Sequence, residues 1–308
     1  MPLQEGSSKP YLEIITGSVL YGTIGVFLDK VQDMSVGSVL FSRLFFGLLL
    51  IITYLLLNKG LEQLSPRKNK RYLLLLGLLN AITGVCYFSS IRYSGISTAV
   101  LLLYTAPIYV NLLAPPLLGE HNSSKNFIPL ILAVTGVLLI SRPGEVLTGT
   151  YMSSDFGKGL VFGLLSGLSF GTTIIVIRYL RHDYSGIAQT FWLTGVSLFF
   201  LLPSALSTPL HLYLENFSVL ATFGLTITFA AVVYLKGITR IRAQTGSILA
   251  LIEPVSGIFF DSTLLNSPLY ISTLLGCTFI LTAAYLASRQ EREKNPRFSS
   301  REKEKILP

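Results

Sequence analysis

Charge is what this sequence has least of. Only 13% of its 308 residues are Asp, Glu, Lys or Arg, where a soluble chain carries about 25%, and 51% are hydrophobic. So little charge excludes a water-solvated surface over most of the chain and points to lipid as its solvent. Cysteine is nearly absent: Cys86 and Cys277 fall inside apolar runs, so they read as small buried hydrophobes, not as a disulfide or a thiolate metal site. The three histidines, His121, His182 and His211, all fall in loops, which leaves the apolar runs without a Ser/His base or a set of metal ligands. GLSFG, Gly167 to Gly171, matches the GxSxG pattern, but that motif needs a sharp strand-to-helix turn and here lies in a run of helical spacing. With no CxxC, no phosphate loop, no paired intramembrane aspartates and no connection long enough for a soluble catalytic domain, neither an enzyme, a cofactor, a metal nor a nucleic-acid partner is expected.

Long apolar runs fill the rest. A membrane-crossing helix needs about 20 mostly apolar residues. Ten such spans are predicted, at roughly 11–28, 36–57, 72–91, 95–118, 127–141, 159–180, 187–206, 217–236, 244–262 and 269–287. NKGLEQLSPRKNKR, GEHNSSKN, SRPGEVLTGTYMSSDFGKG and STPLHLYLENF separate them as loops. The first run follows Lys9 but leads to no small-x-small cleavage pattern, so it is expected to be retained as a span. From Arg289 onward the chain turns charged and is expected to be a disordered tail.

The runs repeat. YLKGITRIRAQTGSILALIEP, Tyr234 to Pro254, lies 147 positions after YFSSIRYSGISTAVLLLYTAP, Tyr87 to Pro107, and Tyr21-Gly22-Thr23 matches Phe170-Gly171-Thr172 at an offset of 149. Residues 1–142 and 159–287 therefore read as two five-helix units, joined by a loop at 143–158 and followed by a tail at 288–308. Placing the N-terminus in the cytoplasm puts nineteen of the 24 Lys and Arg residues on that side and four on the other, with Arg43 inside a span. That excess in short loops predicts both termini inside. Five spans per unit then force the second unit to enter the membrane inverted, the architecture of many alternating-access transporters. The expected fold is an all-α, multi-pass protein of the cytoplasmic (plasma) membrane.

The order of motifs resembles the drug/metabolite transporter (DMT) superfamily, EamA type. The resemblance rests on Tyr21-Gly22, Arg43, the Tyr87–Pro107 stretch, LLGE ending at Glu120 and LIEPV from Leu251 to Val255, and covers about 12–287. Two departures stand out: Ser267 replaces a second Glu thirteen residues after Pro254, and Thr190-Phe191-Trp192 offers no counterpart of Arg43. The resemblance implies a transporter of small organic solutes. Export of amino acids or related amphiphilic metabolites is expected, with nucleotide-sugars or drugs as the alternative and a channel as the rival class; no acidic or carbonyl-rich filter appears.

Arg43 and Glu253 are the charges inside the runs that most need a reason. An Arg at mid-span costs about 2.5–3.5 kcal/mol on insertion scales, so it requires a carboxylate or a wet cavity. The two could pair, or Arg43 could snorkel toward Asp29 and Asp33. Alternatively both line a pocket and read a zwitterion, or Glu253 carries a proton. Asn80, Tyr87, Tyr104, Trp192 and Tyr234 complete the candidate substrate-binding set. Pro107 and Pro254 are candidate hinges, freeing the carbonyls of Leu103 and Ala250. Gly159, Gly163, Gly167 and Gly171 recur every fourth residue and are expected to pack within the chain, with a homodimer seam as runner-up. Glu120 is expected to cap the next helix or answer Lys125.

Overall fold

The computed structural model describes residues 8–66, 68–120, 127–141 and 155–294, and these are helical with no strand among them. In chain order the α-helices are α1 (Lys9–Tyr21), α2 (Ile24–Lys30), α3 (Val36–Leu57), α4 (Lys70–Ser94), α5 (Ile96–Leu103), α6 (Ala106–Leu118) and α7 (Phe127–Ser141). They continue as α8 (Phe156–Tyr179), α9 (Gly186–Leu206), α10 (Leu210–Glu215), α11 (Phe217–Ile238), α12 (Ala243–Ala250), α13 (Ile252–Leu264) and α14 (Ile271–Lys294). Nine helices among the described residues are long and apolar enough to cross a membrane, counting α1/α2, α5/α6 and α12/α13 each as one. The predicted fifth span is α7, apolar but only 15 residues, about 22 Å at 1.5 Å per residue and short of the ~30 Å hydrocarbon core. The chain is a multi-pass integral membrane protein.

Three predicted spans are broken, not merely bent. Span four stops at Tyr104-Thr105, span nine at Leu251 and span one at Gly22-Thr23. Each break is tightened by i→i+3 bonds: Thr23 N to Leu20 O at 3.1 Å, Thr105 N to Leu102 O at 3.2 Å and Leu251 N to Ile248 O at 3.1 Å. Thr23 and Thr105 each add a hydroxyl bond of 2.6 Å to the same carbonyl. Pro107 and Pro254 sit in the first turn of the following helix, where a missing N–H costs nothing, so the prolines start α6 and α13. The counterpart of Gly22-Thr23, Gly171-Thr172, runs unbroken through α8.

Other departures have local causes. α14 continues to Lys294, past the predicted end at 287, as Glu291 accepts the Arg242 N–H at 2.9 Å and gives the extra turns something to hold. Residues 295–308 of the expected tail, most of the 143–158 loop, His121 and Lys125 lie outside the described residues. STPLHLYLENF, expected as loop, contains α10.

The bundle packs α1 on α11 and α4 on α8, α3 on both α9 and α11, α9 on α4, α5/α6 on α8, α12/α13 on α1, and α7 on α14. Small residues permit these approaches. Gly136 and Gly276 bring α7 and α14 so close that a Cβ on either would lie within 2.7 Å of the other's carbonyl oxygen. Gly159, Gly163, Gly167 and Gly171 turn toward Ser94, Leu102, Thr105 and Ala106, so this stripe faces α4–α6 of the same chain.

Candidate functional site

The helix breaks bring polar groups to the middle of the bundle. Tyr21 closes α1, Tyr104 is the C-terminal cap of α5, and Glu253 stands in the first turn of α13. A carboxylate there meets the partial positive charge of a helix N-terminus. The span-one and span-nine breaks touch: Ser256 Oγ donates to Ser18 O at 3.3 Å, and a Cβ on Gly22 would collide with Ser256.

Around Glu253 the geometry gathers phenols. The Tyr104 side chain is its neighbour. Tyr21, Tyr87 on α4 and Tyr234 on α11 lie within its electrostatic reach, as does Arg43 on α3. The Tyr21 and Tyr234 rings meet edge to face, centroids 5.9 Å apart. Glu253, Arg43, Tyr21 and Tyr87 are half-buried, and Tyr104 and Tyr234 are buried at 8% and 5% exposure.

Among the described residues no ion pair joins Arg43 to Glu253, nor to Asp29 or Asp33, so neither pairing anticipated for Arg43 is formed. Instead its guanidinium carbon lies 5.8 Å from the centre of the Phe223 ring. Arg43 Nε and the Tyr234 hydroxyl are buried without a hydrogen-bond partner. Buried polar groups are nearly always paired, so two orphaned donors beside a carboxylate mark a place that can hold a polar ligand.

Arg43, Tyr87, Tyr104, Tyr234 and Glu253 thus converge, while two other candidates do not. Asn80 Nδ2 donates to Ser197 Oγ at 2.8 Å and ties α4 to α9. Trp192 Nε1 donates to Leu64 O at 3.0 Å, anchoring the 3₁₀ turn Leu61–Leu64, and its half-buried ring packs against the core at the edge of an apolar groove between α4 and α9. A lone Trp inside a run therefore acts here as an anchor. Tyr21 is the member not singled out beforehand; its place in the repeated Tyr21-Gly22-Thr23 motif was the available signal. Among the described residues no group of His, Cys, Asp and Glu can hold a metal ion.

A second polar cluster sits at one end of the bundle. Glu120 accepts the Ala243 N–H with both oxygens at 3.1 Å, and lies 3.4 Å from Arg178 Nε and 4.0 Å from Arg242 Nε. Among the described residues it caps α12. Glu13 meets Arg240 at 3.2 Å and Lys236 at 3.6 Å at the end of α11.

Comparison with known proteins accounts for this architecture. The chain is 31% identical over 280 residues to an uncharacterized transporter of Archaeoglobus fulgidus, covering 90% of this chain and 95% of that one. It is 26% identical over 266 residues to the pseudopaline exporter CntI of Pseudomonas aeruginosa, covering 82% and 87%. A crystal structure of a protein at 15% identity superposes with a TM-score of 0.75 over 92% of this chain and 98% of its own, a likeness of fold alone. The model of the EamA-like transporter family matches twice, at residues 8–142 and 157–289. Between them the two matches span both sets of helices that build the tyrosine cluster, and the chain is a member of the EamA-like transporter family.

Proposed function

We propose that the chain is a secondary transporter that exports small zwitterionic metabolites, amino acids or related amphiphilic solutes, across the cytoplasmic membrane by alternating access. The observation that carries this reading is the unpaired juxtaposition of Arg43 and Glu253 within one tyrosine-lined site. Charges of opposite sign that do not satisfy each other are free to take the two ends of a zwitterion: the guanidinium a carboxylate, Glu253 an ammonium. Tyr21, Tyr87, Tyr104 and Tyr234 add aromatic faces suited to the ammonium end. One relative named above is called a pseudopaline exporter, which supports the outward direction of this reading.

Two inverted five-helix repeats, 1–142 and 159–287, with ten crossings and both termini cytoplasmic, are the framework of this reading. Its supports are the doubled family match, the nineteen-to-four bias of basic residues, and packing in which α1 on α11 is answered by α4 on α8 with the halves exchanged. A monomer is the expected working unit, since the glycine stripe faces the chain's own helices. Uptake into proteoliposomes by Arg43→Gln and Glu253→Gln tests the site, after a thermal-shift screen of amino acids, nucleosides, sugars and cationic drugs has found a binder. Loss of uptake in both is expected; wild-type transport in both would sink the assignment.

A further inference from the structure

A groove of about 790 Å³ opens on the outer surface of the bundle between α4 and α9, apart from the tyrosine cluster. Leu74, Leu75 and Leu78 form one wall, and Phe191, Val196 and Phe199 the other. Gly195 makes the floor: a Cβ there would meet only Leu48 Cδ1, at 3.9 Å. Arg71, in the first turn of α4, is the charged residue that lines it.

Its length and direction suit one leaflet. Tyr184 Oη donates to Lys68 O, Gly77 packs on Val196, and Asn80 bonds Ser197, so α4 and α9 run parallel and Arg71 stands at the groove's shallow end. From Arg71 to Leu78 is about 10 Å and from Phe191 to Phe200 about 14 Å at 1.5 Å per residue. Half of a ~30 Å hydrocarbon core is about 15 Å. The groove therefore reaches from headgroup level to near the midplane and no further.

We propose that this groove is a binding site for one anionic phospholipid, its phosphate on Arg71 and an acyl chain lying between α4 and α9. Arg71 is exposed, and among the described residues no carboxylate pairs with it; its guanidinium rests 5.1 Å over the Tyr72 ring. The neighbouring Asp183 is engaged by Asn69 at 2.7 Å. Lys68 and Lys70, both exposed, add positive field to the same turn. A guanidinium fork matches a phosphate, and basic pockets between membrane helices take anionic headgroups. The glycine floor distinguishes this concavity from an ordinary lipid-facing helix surface.

Native mass spectrometry of the purified full chain tests it, using phosphatidylglycerol and phosphatidylcholine with identical acyl chains. One lipid is expected to be retained, with phosphatidylglycerol favoured about five-fold, the effect of one basic contact. Arg71→Gln should bring that preference close to unity, while Lys70→Gln, on the same turn but outside the groove lining, should leave most of it. Gly195→Leu fills the floor and should lower retention of both lipids; Leu78→Trp, at an exposed position, blocks the opposite wall with the same readout if the glycine variant does not fold. A wild-type preference in Arg71→Gln, an equal loss in Lys70→Gln, or undiminished retention in the filled variant would each overturn the proposal.

Discussion

Arg43 lies over the face of Phe223, its guanidinium carbon 5.8 Å from the ring centre, and makes no ion pair with Glu253 among the described residues. A planar cation held by a ring keeps its in-plane donors available. Arg43→Lys retains the charge but loses the fork. Under the zwitterion reading it should raise the KM for uptake about ten-fold or more with a smaller change in maximal rate, as expected for loss of a charge-assisted bond. Concentration-dependent uptake in proteoliposomes reads this split, and an unchanged KM would remove Arg43 from the site.

Tyr234→Phe gives a test whose sign separates function from packing. The Tyr234 hydroxyl is buried without a partner, so deleting it removes a desolvated polar group and should leave thermal stability unchanged or slightly raised. Transport should nevertheless fall several-fold. A fall in both would assign the hydroxyl to the scaffold.

Glu253 is the carboxylate at the centre of the site, half-buried beside the Tyr104 side chain. If it carries a coupled proton, wild-type uptake responds to an imposed pH gradient and to a protonophore. Glu253→Gln should abolish both responses. Wild-type uptake that is flat with pH and indifferent to the protonophore would leave Glu253 as a binding group only.

Glu120→Gln should destabilise by about 1–3 kcal/mol, since it weakens the cap on α12 and leaves Arg178, 14% exposed, without a full counter-charge. Lys158→Gln is the contrast: that residue pairs with Asp155 in water, at 63% and 45% exposure, and its thermal midpoint should not move. Differential scanning of the two variants in one detergent decides the ranking.

Gly136→Leu inserts a side chain where α7 and α14 touch through their backbones. Overpacking of about 1–3 kcal/mol is expected, with a matching loss in Gly276→Leu. Gly84→Leu, whose Cβ meets nothing within 4 Å, should be tolerated.

The parts of this molecule that were legible in advance are those set by composition along one helix. Apolar length predicted the nine helices among the described residues that are long enough to cross and a tenth, α7, that is short, and the doubled Tyr-to-Pro stretch led to Glu253 and to Tyr87, Tyr104 and Tyr234, which lie within its electrostatic reach. What could not be read depends on partners distant in the chain. Trp192 looks central by depth, yet its indole is claimed by the Leu64 carbonyl 128 positions away. The extra turns of α14 follow from one contact between Glu291 and Arg242. The break at Gly22-Thr23 has no proline to announce it, and the same dipeptide in α8 stays helical, so tertiary packing against Ser256 decides there.

The two half-helices α5 and α12 occupy matching places in the doubled stretch but are held unequally. Every residue of α12 is buried and its first turn is held by Glu120 and Glu291, one carboxylate from each half of the chain; α5 starts at Gly95 without a side-chain cap and buries only Thr98 and Ala99. Under the alternating access proposed above, a cycle that exchanged these environments would break different contacts at its two ends. The bond from the Ala243 N–H to Glu120 is one that the α12 end holds and the α5 end has no match for, so the two ends of the bundle are not interchangeable.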